Sequence, residues 1–146
     1  MEEKIINHHL KEIKNYQGSY NLKHEKDLNI RLLPSLICLN ISSKKNNFYW
    51  IGISITEKKV IICDPLNKIK FNKNLSKRLI NFLFALSFNR EIIFIPKLTN
   101  SKFYFYYIIH FIKFFSKLNS CQSYLKNFSS DFLKNDDYVK QIYNLI

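Results

Sequence analysis

The stretch that decides the fold runs from Phe48 to Pro65, FYWIGISITEKKVIICDP. Within FYWIGISI (48–55), Trp50, Gly52 and Ser54 alternate with Ile51, Ile53 and Ile55, the two-residue period of a strand. The polar TEKK that follows reads as a hairpin turn, and VIIC (60–63) is apolar throughout, which suits a central strand buried on both faces. Upstream, LICLNIS (36–42) has the same β-branched texture. Downstream, EIIFIP (91–96) repeats it and ends at Pro96.

Helical spacing frames these strands. Ile5, Ile6, Leu10 and Ile13 predict a short amphipathic helix over 3–16, and Pro34 stops anything helical before the first strand. Asn74 or Ser76 serves as the expected cap of a helix through KRLINFLFALSF (77–88), where Leu79, Phe82, Leu83 and Leu86 recur at three- and four-residue steps. Ser101 is the expected N-cap of a helix from about Lys102 to Leu118, apolar almost all round and therefore a core element. A last amphipathic segment, 122–146, puts Leu125, Phe128, Phe132 and Leu133 on one side, with Ile142 and Leu145 extending it. KKNN (44–47) and LNKIKFNKN (66–74) read as loops. The order is helix, three strands, helix, strand, buried helix, helix. That is an α+β fold, a single domain over 1–146 with a mainly sequential small sheet flanked by helices. Its expected parts are an N-terminal helix and loop (1–33), a core (36–116) and a C-terminal helix (119–146).

Composition narrows the chemistry. With only Gly18 and Gly52 in 146 residues, no glycine-rich phosphate loop, dinucleotide fingerprint or glycine-built nucleophile elbow can exist. Cys38, Cys63 and Cys121 are odd in number and widely spaced, which points to a reducing intracellular compartment and no structural zinc; no cofactor is expected. The charged start MEEKIINHHL is no secretory signal. FYFYYIIHFIKFF (103–115) is too short for a bilayer span and carries His110 and Lys113, so no membrane span is expected. The net charge of +12 invites a nucleic-acid reading, but 20 of the 23 basic residues are Lys, and Lys, Ile and Asn fill 58 positions, as an A/T-rich coding sequence would produce. Among single candidates, His8 and His9 are adjacent and point to different sides of a helix, and His24 sits in charged LKHEKD. His110 reads as a core histidine and Cys63, beside Asp64, as a buried structural thiol.

The order of these pieces is informative. Tyr49-Trp50 opens one strand, Asp64-Pro65 ends the next, and about forty residues on Asn100-Ser101 leads into a buried aromatic helix. This resembles the adenovirus-type (adenain-like) and ubiquitin-like-protein-specific cysteine protease clan, over roughly residues 36–116. Its members carry His-Trp at the first place, Asp or Glu at the second, and Asn-Ser leading into Cys-Gly at the N-terminus of a core helix. The resemblance implies a papain-like, adenain-like core in which the helix start holds a thiolate, the histidine takes its proton and the acid orients the imidazole. Read residue by residue, the framework is kept and the chemistry lost. Trp50 and Asp64 match, Tyr49 stands at the histidine, Phe103 is read at the cysteine and Tyr104 at the glycine. Pro96 or Lys97 falls where the oxyanion-hole glutamine belongs.

The expectation is therefore a catalytically inactive pseudoprotease, with vestigial positions Tyr49, Asp64 and Phe103 and no catalytic residue. It would bind a protein partner through a cleft lined by Tyr49, Trp50, Phe103 and Tyr104. The context the resemblance implies is a viral or mobile-element protein, in a virion or in the host nucleus or cytoplasm. The alternative is a nucleic-acid-binding accessory protein using Lys44, Lys45, Lys58, Lys59, Lys68, Lys70, Lys73, Lys77 and Arg78. A surviving enzyme using Cys63 or Cys121 with His110 is the remaining and least favoured reading.

Overall fold

A computed structural model describes residues 2–22, 33–42, 48–71 and 77–145, with Lys70, Phe71 and Arg78 described by backbone alone. In chain order the elements are α1 (Glu2–Leu10), β1 (Tyr16–Asn21), β2 (Ser35–Asn40), β3 (Trp50–Ile55), β4 (Lys59–Cys63), α2 (Lys68–Phe71) and α3 (Lys77–Leu86), followed by β5 (Glu91–Phe94), α4 (Phe105–Lys117), α5 (Cys121–Leu125) and α6 (Phe132–Tyr143). The fold is α+β, as the sequence predicts.

The five strands form one sheet in sequential order, β1-β2-β3-β4-β5. β2, β3 and β4 run antiparallel to one another, whereas the outer strands β1 and β5 pair parallel with β2 and β4. Every residue of β2 and β3 is buried, as is β4 from Val60 to Cys63. Helix α4 lies chiefly across β3, and Gly52 is why it can approach so closely. A Cβ on Gly52 would stand 2.9 Å from Phe111 and 3.1 Å from Ile108. Since side chains alternate, Trp50, Gly52 and Ser54 face α4, while Ile51, Ile53 and Ile55, all fully buried, fill the opposite face. Among the described residues, no helix is long and apolar enough to cross a membrane.

Several expectations need correction. The helix expected over 3–16 ends at Leu10, and Tyr16–Asn21 is strand β1, unforeseen because all six of its residues are half-buried and polar or small. Asn15, in the left-handed region at φ 70, turns the chain between them, and Gly18 at φ 113 marks an irregularity in the β1–β2 register. The proposed loop 66–74 contains α2, while the expected loop 44–47 and the caps Asn74 and Ser76 lie outside the described residues. Ser101 does not cap α4: its hydroxyl accepts from the Phe103 amide in a preceding turn, and the cap position belongs to Tyr104, without a side-chain bond. The C-terminal segment divides in two, because Ser120 caps α5 and Asp131, accepting from Leu133 and Lys134, starts α6 afresh. Leu133 therefore faces solvent instead of the core.

Candidate functional site

The start of β3, the end of β4 and the start of α4 meet at one end of the sheet. Antiparallel pairing of Gly52 with Cys63 fixes the first two, and the seating of Ile108 on Gly52 brings Tyr104, one turn earlier, beside Trp50. Tyr49 is held from both sides of its peptide: its amide donates to Asn40 Oδ1 (3.1 Å) and its carbonyl accepts from Ile41 (2.9 Å).

Three side chains converge there. The Tyr49 hydroxyl donates to Asp64 Oδ1 and accepts from the Leu66 amide at 3.3 Å. Asp64 Oδ2 accepts from the Ile69 amide in α2 at 2.7 Å. The Tyr104 ring stacks on that of Tyr49 at 4.9 Å and 22°, and its hydroxyl accepts from the Trp50 amide at 3.0 Å. Lys68 Nζ stands 4.5 Å from the centroid of Tyr49. Burial, reinforced by the Asp64 carboxylate, pushes the Tyr49 hydroxyl well above the ordinary tyrosine range, and burial does the same to Tyr104. Both hydroxyls stay protonated at neutral pH, so neither is a base or a nucleophile.

Phe103 does not join them. Its ring stacks on Tyr107 at 6.5 Å beneath Lys140 Nζ at 5.4 Å, on the side of α4 that meets α6. Tyr107 in turn donates to Asp136 of α6 at 2.6 Å, as does Thr99. The aromatic groove expected from Tyr49, Trp50, Phe103 and Tyr104 is also not an open surface: Tyr49, Trp50 and Tyr104 are 5%, 1% and 6% exposed. What reaches solvent beside them is Phe48, half-exposed and stacked on Trp50. Trp50 Nε1 is buried without a hydrogen-bond partner among the described residues.

The thiols are unsuited to nucleophilic work. Burial pushes Cys38 up to about 12 and raises Cys63 well above the ordinary value, with the Asp64 charge adding to the latter; burial also raises the half-buried Cys121. His110 is caged by the rings of Tyr124, Phe128, Tyr138 and Tyr143, and burial, with Lys113 second, lowers it to about 4. Tyr124 stands against both His110 and Cys63, separating thiol from imidazole. His8 is exposed, and His9 packs against Tyr106 and Tyr143. Pro96 is exposed and Lys97 lies over the Phe132 ring.

Of the basic candidates, Lys44, Lys45 and Lys73, like His24, lie outside the described residues, and Lys70 and Arg78 have no described side chain. Lys58 and Lys59 are exposed at the β3–β4 turn, whereas Lys68 is beside Tyr49 at the other end of β3, roughly 16 Å away at about 3.3 Å per residue. Lys77 is exposed at the start of α3. The residue that sequence reasoning misplaced is Tyr104. The spacing 104, 108, 111, 115 along α4 carried the signal, since it marks the face toward β3. No protein-family model matches the chain, and no curated protein is significantly similar to it.

Proposed function

We propose that this chain is a catalytically inactive relative of the adenovirus-type cysteine proteases that acts by binding a protein segment at the rim of its former catalytic corner. The observation that carries the reading is the trio Tyr49, Asp64 and Tyr104, drawn from the three elements that in the resembled family supply base, orienting acid and nucleophile. The tyrosine hydroxyl donates to the carboxylate as an imidazole N–H would, yet it has no proton-accepting role at neutral pH.

The carry-over shifts by one residue. In the family two residues separate Asn-Ser from the cysteine; counted from Asn100-Ser101 these are Lys102 and Phe103, so Tyr104 takes the cysteine position and Phe105 the glycine position. The ring packing of Tyr104 on Tyr49 supports that count. With base, nucleophile and oxyanion donor all replaced, catalysis is removed as a unit. Because the corner is filled, a partner meets its rim, Phe48 and the Lys68 ammonium, in place of the buried rings. The lysines split between the two ends of β3 give the nucleic-acid alternative no single described patch.

A ubiquitin-like probe carrying a thiol-reactive C-terminus tests the loss of activity. The folded protein should remain unlabelled; labelling of Cys63 or Cys121 that disappears on denaturation would overturn the reading.

A further inference from the structure

Helix α3 is apolar on two sides. Leu79, Phe82 and Leu86 are buried, at the three- and four-residue steps of an inward face. Ile80, Phe84 and Phe88 follow one another at four-residue steps and are 52%, 80% and 75% exposed. Phe88 carries the stripe into the turn that closes the helix, where its amide donates to the Ala85 carbonyl. At about 100° per residue the two sets lie on nearly opposite sides, and the outer stripe is roughly 12 Å long. At roughly 150–250 Å² for a phenylalanine side chain, the stripe exposes on the order of 400 Å² of apolar surface. Patches of about 300–600 Å² are the largest that a typical monomer shows, and they often mark contact sites.

The charge around this stripe has one sign. Between Asp64 and Glu91 the chain has no acidic residue and six basic ones, Lys68, Lys70, Lys73, Lys77, Arg78 and Arg90. Lys77 is exposed and stands three residues before Ile80, so it heads the same face. Arg90 fixes a second positive charge at the other end, its guanidinium donating to the carbonyls of Leu86 and Thr56. A second copy packed on the stripe would set these cations against their like, with no acid on either helix. An anionic bilayer surface answers both features at once, because its headgroups meet the cations and its acyl boundary takes up the phenylalanines.

We infer that α3 seats this protein on an anionic membrane surface, with Ile80, Phe84 and Phe88 in the acyl boundary and Lys77 among the headgroups. The helix lies in the plane of the interface and does not cross it. This attachment is independent of the protease-like corner and stands on the exposed stripe and the charge around it.

Co-sedimentation of the full chain with phosphatidylcholine vesicles, with and without about one-third phosphatidylserine, tests it. The protein should bind the anionic vesicles about tenfold or more tightly than the neutral ones. Phe84→Ser/Phe88→Ser should weaken that binding by about tenfold or more. Lys77→Glu should weaken it by roughly tenfold, whereas Lys134→Glu, the same charge change at an exposed position of α6, should leave it within about twofold. In Phe84→Trp the emission should shift to the blue on anionic vesicles and be quenched by brominated acyl chains, with buried Trp50 as a constant background. All the substituted side chains are exposed, and an unchanged urea midpoint checks that the variants fold. Four results would overturn the proposal: no binding to anionic vesicles at low salt, binding that the serine substitutions leave intact, an equal loss in Lys134→Glu, or a dimer in sedimentation equilibrium that Phe84→Ser/Phe88→Ser dissolves, which would give the stripe to a second copy.

Discussion

The two ends of β3 are built from the same materials and come out opposite. At Trp50 the space between sheet and α4 is filled by a tyrosine stack, with the Tyr49 hydroxyl on Asp64 and the Leu66 amide and the Tyr104 hydroxyl on the Trp50 amide; at Ser54 the space opens into a cavity of about 580 Å³ that Leu36 and Phe115 also line. The filled end occupies the position that the family resemblance gives to catalysis. The open end corresponds to nothing in that resemblance. The tyrosine-filled corner gives buried Asp64 a hydroxyl donor beside the Ile69 amide, so neither carboxyl oxygen is left unpaired in the interior. Among the described residues the far end holds no buried carboxylate, and it has no such closure.

Substitutions at the two ends should therefore differ in size. Tyr49→Phe removes the hydroxyl donor of Asp64, 3% exposed, and should cost roughly 2–3 kcal/mol, read from the urea midpoint; a loss below about 1 kcal/mol would break the comparison. Between the two ends lies His110, caged by Tyr124, Phe128, Tyr138 and Tyr143 with Lys113 as its charged neighbour. Its pKa falls from 6.5 to about 4 on folding, so in that window the unfolded chain binds the extra proton. Its contribution is complete above pH 6.5 and is lost as pH falls toward 4, by about 2 kcal/mol after allowance for partial exposure; His110→Phe should flatten that slope. Tyr104→Phe keeps the stack and removes only the acceptor for the Trp50 amide, so about 1 kcal/mol is expected in the same urea assay. At the open end, Ser54→Val should lie within about 0.5 kcal/mol of wild type, because the adjoining cavity has room for the larger side chain and its wall there already includes Leu36 and Phe115.

Much of this was legible in residues 48–65. The unbroken apolar run of β4 and the all-round apolarity of α4 follow from burial, the alternation in β3 sets small Gly52 and Ser54 toward α4 against isoleucines on the other face, and the sheet is indeed sequential. β1 was not legible, because an outer strand of half-buried Tyr, Gln, Ser and Asn has no contrast between its faces. The break before α6 was hidden because Phe128, Phe132 and Leu133 kept a helical rhythm across it, while the Asp131 cap that restarts the helix is a one-residue signal. At the site, the meeting of Tyr49 with Asp64 was expected from the family resemblance, which sets one at the start of a strand and the other at the end of the next. Phe103 was read one position too early: the two residues that follow Asn100-Ser101 are Lys102 and Phe103, and Tyr104, at the cap of α4, stacks on Tyr49 while Phe103, in the turn before it, stacks on Tyr107.

That one-residue distinction gives the most direct measurement. In Tyr49→His/Tyr104→Cys, the alkylation rate followed against pH should report a thiolate titrating below about pH 7, as for a histidine-paired cysteine at a helix start. In Tyr49→His/Phe103→Cys it should titrate at about 8.5 or above. A depressed value at Tyr104→Cys alone is the predicted result. Ordinary values at both positions, or a depressed value at Phe103→Cys alone, would contradict the reading of this corner as a closed protease site.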